Sequence, residues 1–153
     1  LYDVASNCMS CHGLENANLS GAHAAAMLDN GHPFNPNYEI VEYSQGSVRH
    51  RFYPPNVTEN KVMTKAEMSR MFVIGQAAAL VSANNAIKKT DHAKYVAGQK
   101  KRIARAKQVL SKVPDAAAFL AGPSKETGRA FASAIKSKDL SGAVGGDLPT
   151  SFK

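Results

Sequence analysis

The chain has 153 residues, a formal net charge of +7 and few aromatic residues, with no Trp. This length suits one domain with its own core, or a small domain with an appendage. No run of about 18 apolar residues occurs, which excludes a membrane-spanning helix. No signal peptide is visible and residue 1 is Leu rather than Met, so we expect a mature product whose signal peptide has been removed.

The first predicted element is a short helix over residues 2–10, which delivers the segment Cys8-Met9-Ser10-Cys11-His12. Two thiols three residues apart lie on the same side of one helical turn, where they can bond to the two vinyl groups of one porphyrin. The histidine that follows can then ligate the iron, which is the c-type haem attachment pattern. The segment occurs once, so we expect one covalent haem c held by Cys8, Cys11 and His12.

Other uses of the two cysteines fit the sequence less well. A disulfide between residues three apart would be strained. A redox dithiol belongs with a thioredoxin-like alternation of strands and helices, which the residues after Gly13 do not show. A zinc site needs further ligands at knuckle spacing, and the chain has no other Cys.

Residues 14–55 predict a long loop, with a helical turn at 23–28 and a small hairpin over 41–52. A regular pattern returns at Thr64 and Glu67, which predict a capping box at the start of a helix. We expect this helix to end at Gly75, a residue type common just beyond a helix C-terminus.

These features together resemble the class I cytochromes c: Cys-Met-Ser-Cys-His-Gly, then a loop, then Pro55-Asn56-Val57-Thr58 and a capped helix ending in Gly. The chain looks most like the haem domains in the cytochrome subunits of bacterial sugar and alcohol dehydrogenases, over residues 2–76 and more loosely over 88–113. The resemblance implies a mainly α, class I cytochrome c-like helical domain around one haem. It also implies a periplasmic or extracellular setting and a role in electron transport.

The resemblance further implies that Asn56 and Thr58 lie at the haem edge and that Phe72 packs near the haem. Such cytochromes usually carry a Met ligand in the loop after the capped helix. Here that loop, residues 76–87, contains no Met, His, Cys or Lys. The sixth iron ligand must therefore come from elsewhere or be absent.

Several side chains could supply that sixth ligand. By its matching position in the family, Met71 is the best-placed thioether, although packing in the core is its alternative role. His92 is the rival, because it ends the apolar face of the next predicted helix, where a half-solvated ring is its alternative role. The other candidates are Met27, Met63, Met68, His23, His32 and His50, and we expect the last three, in loops, to be solvated.

A strong helix is predicted over residues 90–113, with Thr90 or Asp91 as its cap and Pro114 as its stop. Residues 88–112 contain nine basic residues and a single acid, whereas the rest of the chain is near neutral. This basic face is either simply solvated or a docking patch for an acidic redox protein or complex subunit. Nucleic acid is not expected, because no stacking aromatic residues interleave with the charges.

Residues 114–140 predict short helices, one opening at Pro114 and one capped by Ser124, and the Gly-rich chain from Ser141 predicts an extended tail. We therefore expect a haem domain over 1–113 and a helical extension over 114–153.

The expected function is that of a monohaem c-type cytochrome that transfers single electrons between redox partners, as a carrier or as a subunit of a larger complex. Such a protein does no bond chemistry, so we do not expect an enzyme. The alternative is a five-coordinate haem sensor or small-ligand-binding protein, which the lack of a ligand in residues 76–87 favours.

Overall fold

The computed structural model describes residues 1–46 and 62–153. Within these ranges the chain forms α-helices and short 3₁₀ turns but no strand, which confirms the predicted mainly α class. The segment Pro55-Asn56-Val57-Thr58 and the candidate ligand His50 lie outside the described ranges. The helices are α1 (Tyr2–His12), α2 (Gly21–Asp29), α3 (Ile40–Ser44), α4 (Lys65–Ala86), α5 (Ala93–Leu110), α6 (Ala117–Ala121), α7 (Lys125–Ala134) and α8 (Ser141–Val144).

Helix α4 is the central element, because α1, α3, α5, α7 and α8 all pack against it. The predicted capping box opens this helix: the Glu67 N–H donates to Thr64 Oγ1 at 3.2 Å, and the Thr64 N–H donates to the Glu67 carboxylate at 2.8 Å. Most residues of α4 are buried, as expected of a helix surrounded by others.

The predicted end of α4 at Gly75 is wrong, because the helix continues to Ala86. A Cβ at residue 75 would lie 2.6 Å from Ile40 Cγ2. The glycine therefore permits the close approach of α3 instead of ending the helix. As a consequence, residues 76–86 are not a loop but the second half of the central helix.

Helix α3 replaces the first strand of the hairpin predicted over 41–52, whose remainder lies outside the described residues. Glu39 starts this helix, since its carboxylate accepts the N–H groups of Val41 at 3.0 Å and Glu42 at 2.9 Å. Burial raises the pKa of Glu39, and these two hydrogen bonds partly offset that rise. The weak alternation of apolar residues favours a strand here, but the local capping hydrogen bonds favour a helix, and the helix forms.

Helix α5 is capped by His92 instead of Thr90 or Asp91: His92 Nδ1 accepts the Tyr95 N–H at 3.3 Å. Its buried face is also rotated from the predicted one. The apolar spacing predicts a face made of His92, Val96, Gln99, Ile103, Ala106, Leu110 and Val113. Of these residues, His92, Val96 and Ile103 are only half-buried, and the other four are buried. The observed face contains Tyr95, Gly98, Gln99, Arg102, Ala106, Val109 and Leu110.

The C-terminal extension packs on the same core as the helices before it. Its two predicted starts are confirmed: Pro114 opens a 3₁₀ turn, and Ser124 caps α7 in a capping box with Thr127. The rings of Phe119 and Phe131 stack with centroids 5.9 Å apart. The tail from residue 141 is not extended but forms α8 and a second 3₁₀ turn.

Two hydrophobic clusters result. The larger one joins α1, α3, α4, α5 and the C-terminal extension, so no break in the core separates residues 1–113 from 114–153. The smaller one lies under α2, which extends the predicted turn at 23–28, and it contains Leu14, Ala24, Leu28, Ala86 and Tyr95. Among the described residues, none of the helices has the length and apolar character needed to cross a membrane.

Candidate functional site

The two cysteines and His12 lie in the C-terminal half of α1, as the sequence predicts. Both thiols are free, with Cys8 half-buried and Cys11 exposed. The spacing of three residues puts both sulfurs on one side of the helix. His12 is the last residue of the helix, and its side chain is exposed.

An aromatic cluster supports the histidine. The imidazole of His12 stacks on the ring of Tyr38, with centroids 3.8 Å apart and planes 9° apart. Tyr43 packs against both, at 6.0 Å from His12 and 4.8 Å from Tyr38. Face-to-face stacking of two rings restricts the plane in which each ring can lie. We therefore expect Tyr38 and Tyr43 to fix the orientation of the imidazole plane.

Tyr38 also connects His12 to Cys8. The Tyr38 hydroxyl lies beside the Cys8 thiol, and burial is the largest cause that raises the pKa of each group. Tyr38 itself is almost fully buried. One side chain from the segment before α3 thus contacts both Cys8 and His12, which lie one helical turn apart.

A cavity of about 690 Å³ opens beside Cys11 and His12. This volume falls within the roughly 300–1,000 Å³ that is typical of small-molecule and cofactor sites. The wall is largely apolar, with asparagines and a second histidine among its polar groups. The lining residues are Ser10, Cys11, His12, Leu14, Asn16, Asn18, Leu19, Met27, His32, Pro33, Asn35 and Tyr43.

A buried hydrogen-bond network joins the end of α1 to side chains of α4 and α5. Gln99 donates to the Gly13 carbonyl at 2.8 Å, and Arg102 donates to Gln99 Oε1 at 2.7 Å and to Ser82 Oγ at 3.3 Å. Arg102 also lies 3.3 Å from Met9 Sδ. Burial lowers the pKa of Arg102 to about 10, so the guanidinium remains charged at neutral pH.

Further contacts fix the chain that leaves α1. Tyr95 donates to the Leu14 carbonyl at 2.8 Å. The Lys89 ammonium donates to the carbonyls of Glu15, Asn16 and Leu19. Because these carbonyls belong to the segment that forms one wall of the cavity, the wall is positioned by α5 and by the residues just before it.

The predicted basic face is therefore smaller than the sequence implies, because Arg102 and Lys89 bind the chain's own carbonyls and side chains. Lys112 pairs with Asp147 at 2.6 Å. The other lysines of residues 88–112 are exposed: Lys88, Lys94, Lys100, Lys101 and Lys107.

The rival uses of the cysteines gain no support from this geometry. Reactive dithiols are favoured by a helix N-terminus, which lowers the pKa of a thiol. Here the cysteines lie toward the C-terminus of α1, and burial raises the pKa of Cys8. Within residues 1–46 and 62–153, no group of three or more His, Cys, Asp or Glu side chains could hold a metal ion directly.

The two favoured distal ligands, Met71 and His92, do not line the cavity. Met71 is buried in the core, where its sulfur accepts a hydrogen bond from Ser44 at 3.3 Å. His92 caps α5 through Nδ1, and its Nε2 lies 2.9 Å from Asp29. Phe72, predicted to pack near the haem, is fully buried in the main cluster and is also absent from the cavity wall. The packing of α4 explains the positions of Met71 and Phe72, because the expected loop after Gly75 is helical.

The residues near the cavity have the chemistry that covalent haem attachment needs. Cys11 and His12 line the cavity, whereas Cys8, one turn earlier on the same helix, packs against the main cluster and does not line it; both thiols are free. The apolar lining suits a porphyrin.

Compared with known proteins, the chain matches no family model, no curated protein and no solved structure.

Proposed function

We propose that this chain is a monohaem c-type cytochrome that transfers single electrons. The observation that carries the proposal is the cavity of about 690 Å³ beside Cys11 and His12, at the end of the helix that bears the attachment motif. A haem in this cavity would supply an iron that cycles between two oxidation states. The protein's part is to bind and orient the group and to set its surroundings.

Each named residue has a distinct role in this proposal. The thiols of Cys8 and Cys11 would hold a haem through thioether bonds to its two vinyl groups, with each sulfur bonded to carbon and each thiol proton moved to the neighbouring carbon. His12 would ligate the iron, and its stacking on Tyr38 fixes the plane of the ring. Such support for a metal-bound histidine maintains the orientation of the ligand.

A relationship to the class I cytochromes c is part of the proposal, and with it a periplasmic or extracellular setting. The attachment motif, the capped start of α4 and the all-helical architecture of the described residues support it. Asn56 and Thr58 at the haem edge remain predictions, since they lie outside the described residues.

The redox partner we propose is an acidic protein or complex subunit that docks near residues 88–112. Although Lys89 and Arg102 are directed inward, other lysines of this segment are exposed. A surface of one sign accelerates association with a partner of opposite sign, and the acceleration weakens as salt increases.

A five-coordinate haem sensor is the second candidate function. The observation in its favour is that neither Met71 nor His92 lines the cavity, so neither predicted ligand closes the iron's sixth position. An iron with an open position would bind a small molecule instead of only passing electrons.

The test uses the full chain produced in a bacterial host that attaches haem c in its periplasm. Electron transfer predicts a reversible one-electron titration, low-spin spectra in both oxidation states and no rapid CO binding. The sensor predicts high-spin spectra and rapid CO binding. Replacing His12 with Ala should abolish the native spectrum, whereas replacing the exposed His23, which does not line the cavity, should leave it unchanged. Failure to attach haem at all would reject both functions.

A further inference from the structure

Resting on the proposed function, we infer that His32 is the distal iron ligand of this cytochrome. Among the described residues that line the cavity, His12 and His32 are the two histidines and Met27 is the one methionine. An imidazole suits iron in either oxidation state, and histidine is the commonest metal ligand in proteins. His32 therefore takes the place that Met71 and His92 do not occupy.

The C-terminus of α2 places His32 at the cavity. The His32 N–H donates to the Met27 carbonyl at 2.8 Å, and the Gly31 N–H donates to the Leu28 carbonyl at 3.2 Å. These are the two hydrogen bonds of a Schellman motif, with Gly31 in the left-handed conformation at φ +84°. The motif turns the chain back after Asn30 and fixes the backbone of His32 beside the last turn of α2.

The same motif brings Met27 and His32 together. In a Schellman motif the residue after the glycine faces the residue five positions earlier. Here those residues are His32 and Met27, and both line the cavity. One helix terminus thus carries both Met27 and His32.

Packing distinguishes the two side chains. Met27 is half-buried against the smaller hydrophobic cluster, which also includes Leu14 and Leu28, so filling space accounts for it. His32 is exposed, so burial in the core does not account for its place on the cavity wall. Iron ligation would explain why an imidazole lies on the wall of this largely apolar cavity.

The first experiment compares spin states in the full, haem-loaded chain. His32→Ala should lose the low-spin signal in optical and electron paramagnetic resonance spectra and should gain rapid CO binding. Added imidazole should restore the low-spin signal, because a missing ligand can be replaced from solution whereas a structural defect cannot. Met27→Leu keeps the packing volume and should remain low-spin.

Different outcomes separate the inference from the function on which it rests. A low-spin spectrum that survives in His32→Ala and disappears in Met27→Leu would assign the ligand to Met27 and overturn the inference. A high-spin wild type with covalent haem would also overturn it and would favour the sensor. Absence of covalent haem from the wild type would instead reject the proposed function itself.

A second variant tests the turn without touching either side chain. Gly31→Ala forces a residue with a Cβ into the left-handed region, although nothing within 4 Å blocks the space. We expect a partial shift from low spin to high spin, because the turn that carries His32 is strained. Gly145→Ala is the control, since this glycine also has open space but an ordinary φ of −58°. Equal spectra for the two variants would contradict a role of the turn in ligation.

Discussion

At the scale of single residues, Arg102 shows how the site is held. Its side chain is 4% exposed, and it joins Gln99, Ser82 and Met9 beneath the end of α1. A Cβ at Gly13 would lie 2.5 Å from the guanidinium, so the chain after His12 passes directly over it. The buried charge therefore positions the turn that follows the proximal histidine.

Replacing Arg102 with Met should destabilise the protein by about 1–3 kcal/mol, because Gln99 Oε1 and Ser82 Oγ lose a buried donor. Urea denaturation measures this change in the free energy of unfolding. Arg105→Met is the matched control on the same helix, since Arg105 is more exposed and donates to a single carbonyl, that of Asn37. If the two variants were equally stable, the network beneath α1 would contribute nothing.

Sequence analysis predicts the attachment residues but not their surroundings. Cys8, Cys11 and His12 form a local pattern whose chemistry follows from its spacing. Tyr38 has no regular spacing from His12, so no pattern indicates that the two rings stack. Arg102 lies on the buried stripe of α5 that begins at Tyr95, and its charge gives no sign of that position in the sequence. For His32 a signal existed: Asn30-Gly31 after a helical segment is a recognisable C-terminal cap.

At the scale of elements, the approach of α3 to α4 depends on one glycine. In an exposed helix interior, replacing a glycine with alanine typically stabilises the protein by roughly 0.5–1 kcal/mol. Here the added Cβ would lie 2.6 Å from Ile40 Cγ2, and overpacking of this kind typically costs about 1–3 kcal/mol. We therefore expect a lower melting temperature for Gly75→Ala by differential scanning calorimetry.

Two further variants sharpen the test of this contact. Gly142→Ala in α8 meets no atom within 4 Å and should be neutral or stabilising. In a double-mutant cycle, Ile40→Ala should relieve part of the effect of Gly75→Ala, because it removes the methyl group that the new Cβ meets. A melting temperature that rises in Gly75→Ala would refute the proposed close contact.

Helix starts were more predictable than helix ends. The caps at Thr64 and Ser124 follow from hydrogen bonds between residues close in sequence, and both are confirmed. The approach of α3, which comes from a distant part of the chain, explains the glycine at residue 75, so the sequence pattern alone wrongly predicts a helix end there. Residues 76–86, expected to be a ligand loop, are instead the second half of α4.

At the scale of the whole molecule, one continuous core joins the C-terminal extension to the helices before it. The C-terminal extension contributes Phe119, Phe131, Ile135 and Val144 to the main cluster. It therefore stabilises the helices that carry the site, whatever else it binds. The sequence predicts most of the extension's helices, but their packing against α4 and α1 depends on contacts between distant residues.

The position of the exposed lysines should control electron exchange with an anionic oxidant. The triple change of Lys100, Lys101 and Lys107 to Glu should slow oxidation of the reduced protein by ferricyanide in stopped-flow experiments at low ionic strength. Added salt should reduce the difference from the wild type.

A control triple change of Lys65, Lys125 and Lys136 to Glu alters the net charge equally, at exposed positions outside α5. We expect a smaller effect from the control, because these lysines lie on α4 and on or beside α7, outside the segment proposed to dock. Equal slowing by both triple variants would show that only net charge matters and that no docking patch exists on residues 88–112.

The most direct measurement is the intact mass of the denatured chain after production in a host that attaches haem c. We predict a gain of one haem mass and no thiol open to alkylation, since Cys8 and Cys11 are both bonded to the porphyrin. The Cys8→Ser, Cys11→Ser double variant should show no gain. An unchanged mass with two alkylated cysteines in the wild-type chain would contradict the assignment of this protein as a c-type cytochrome.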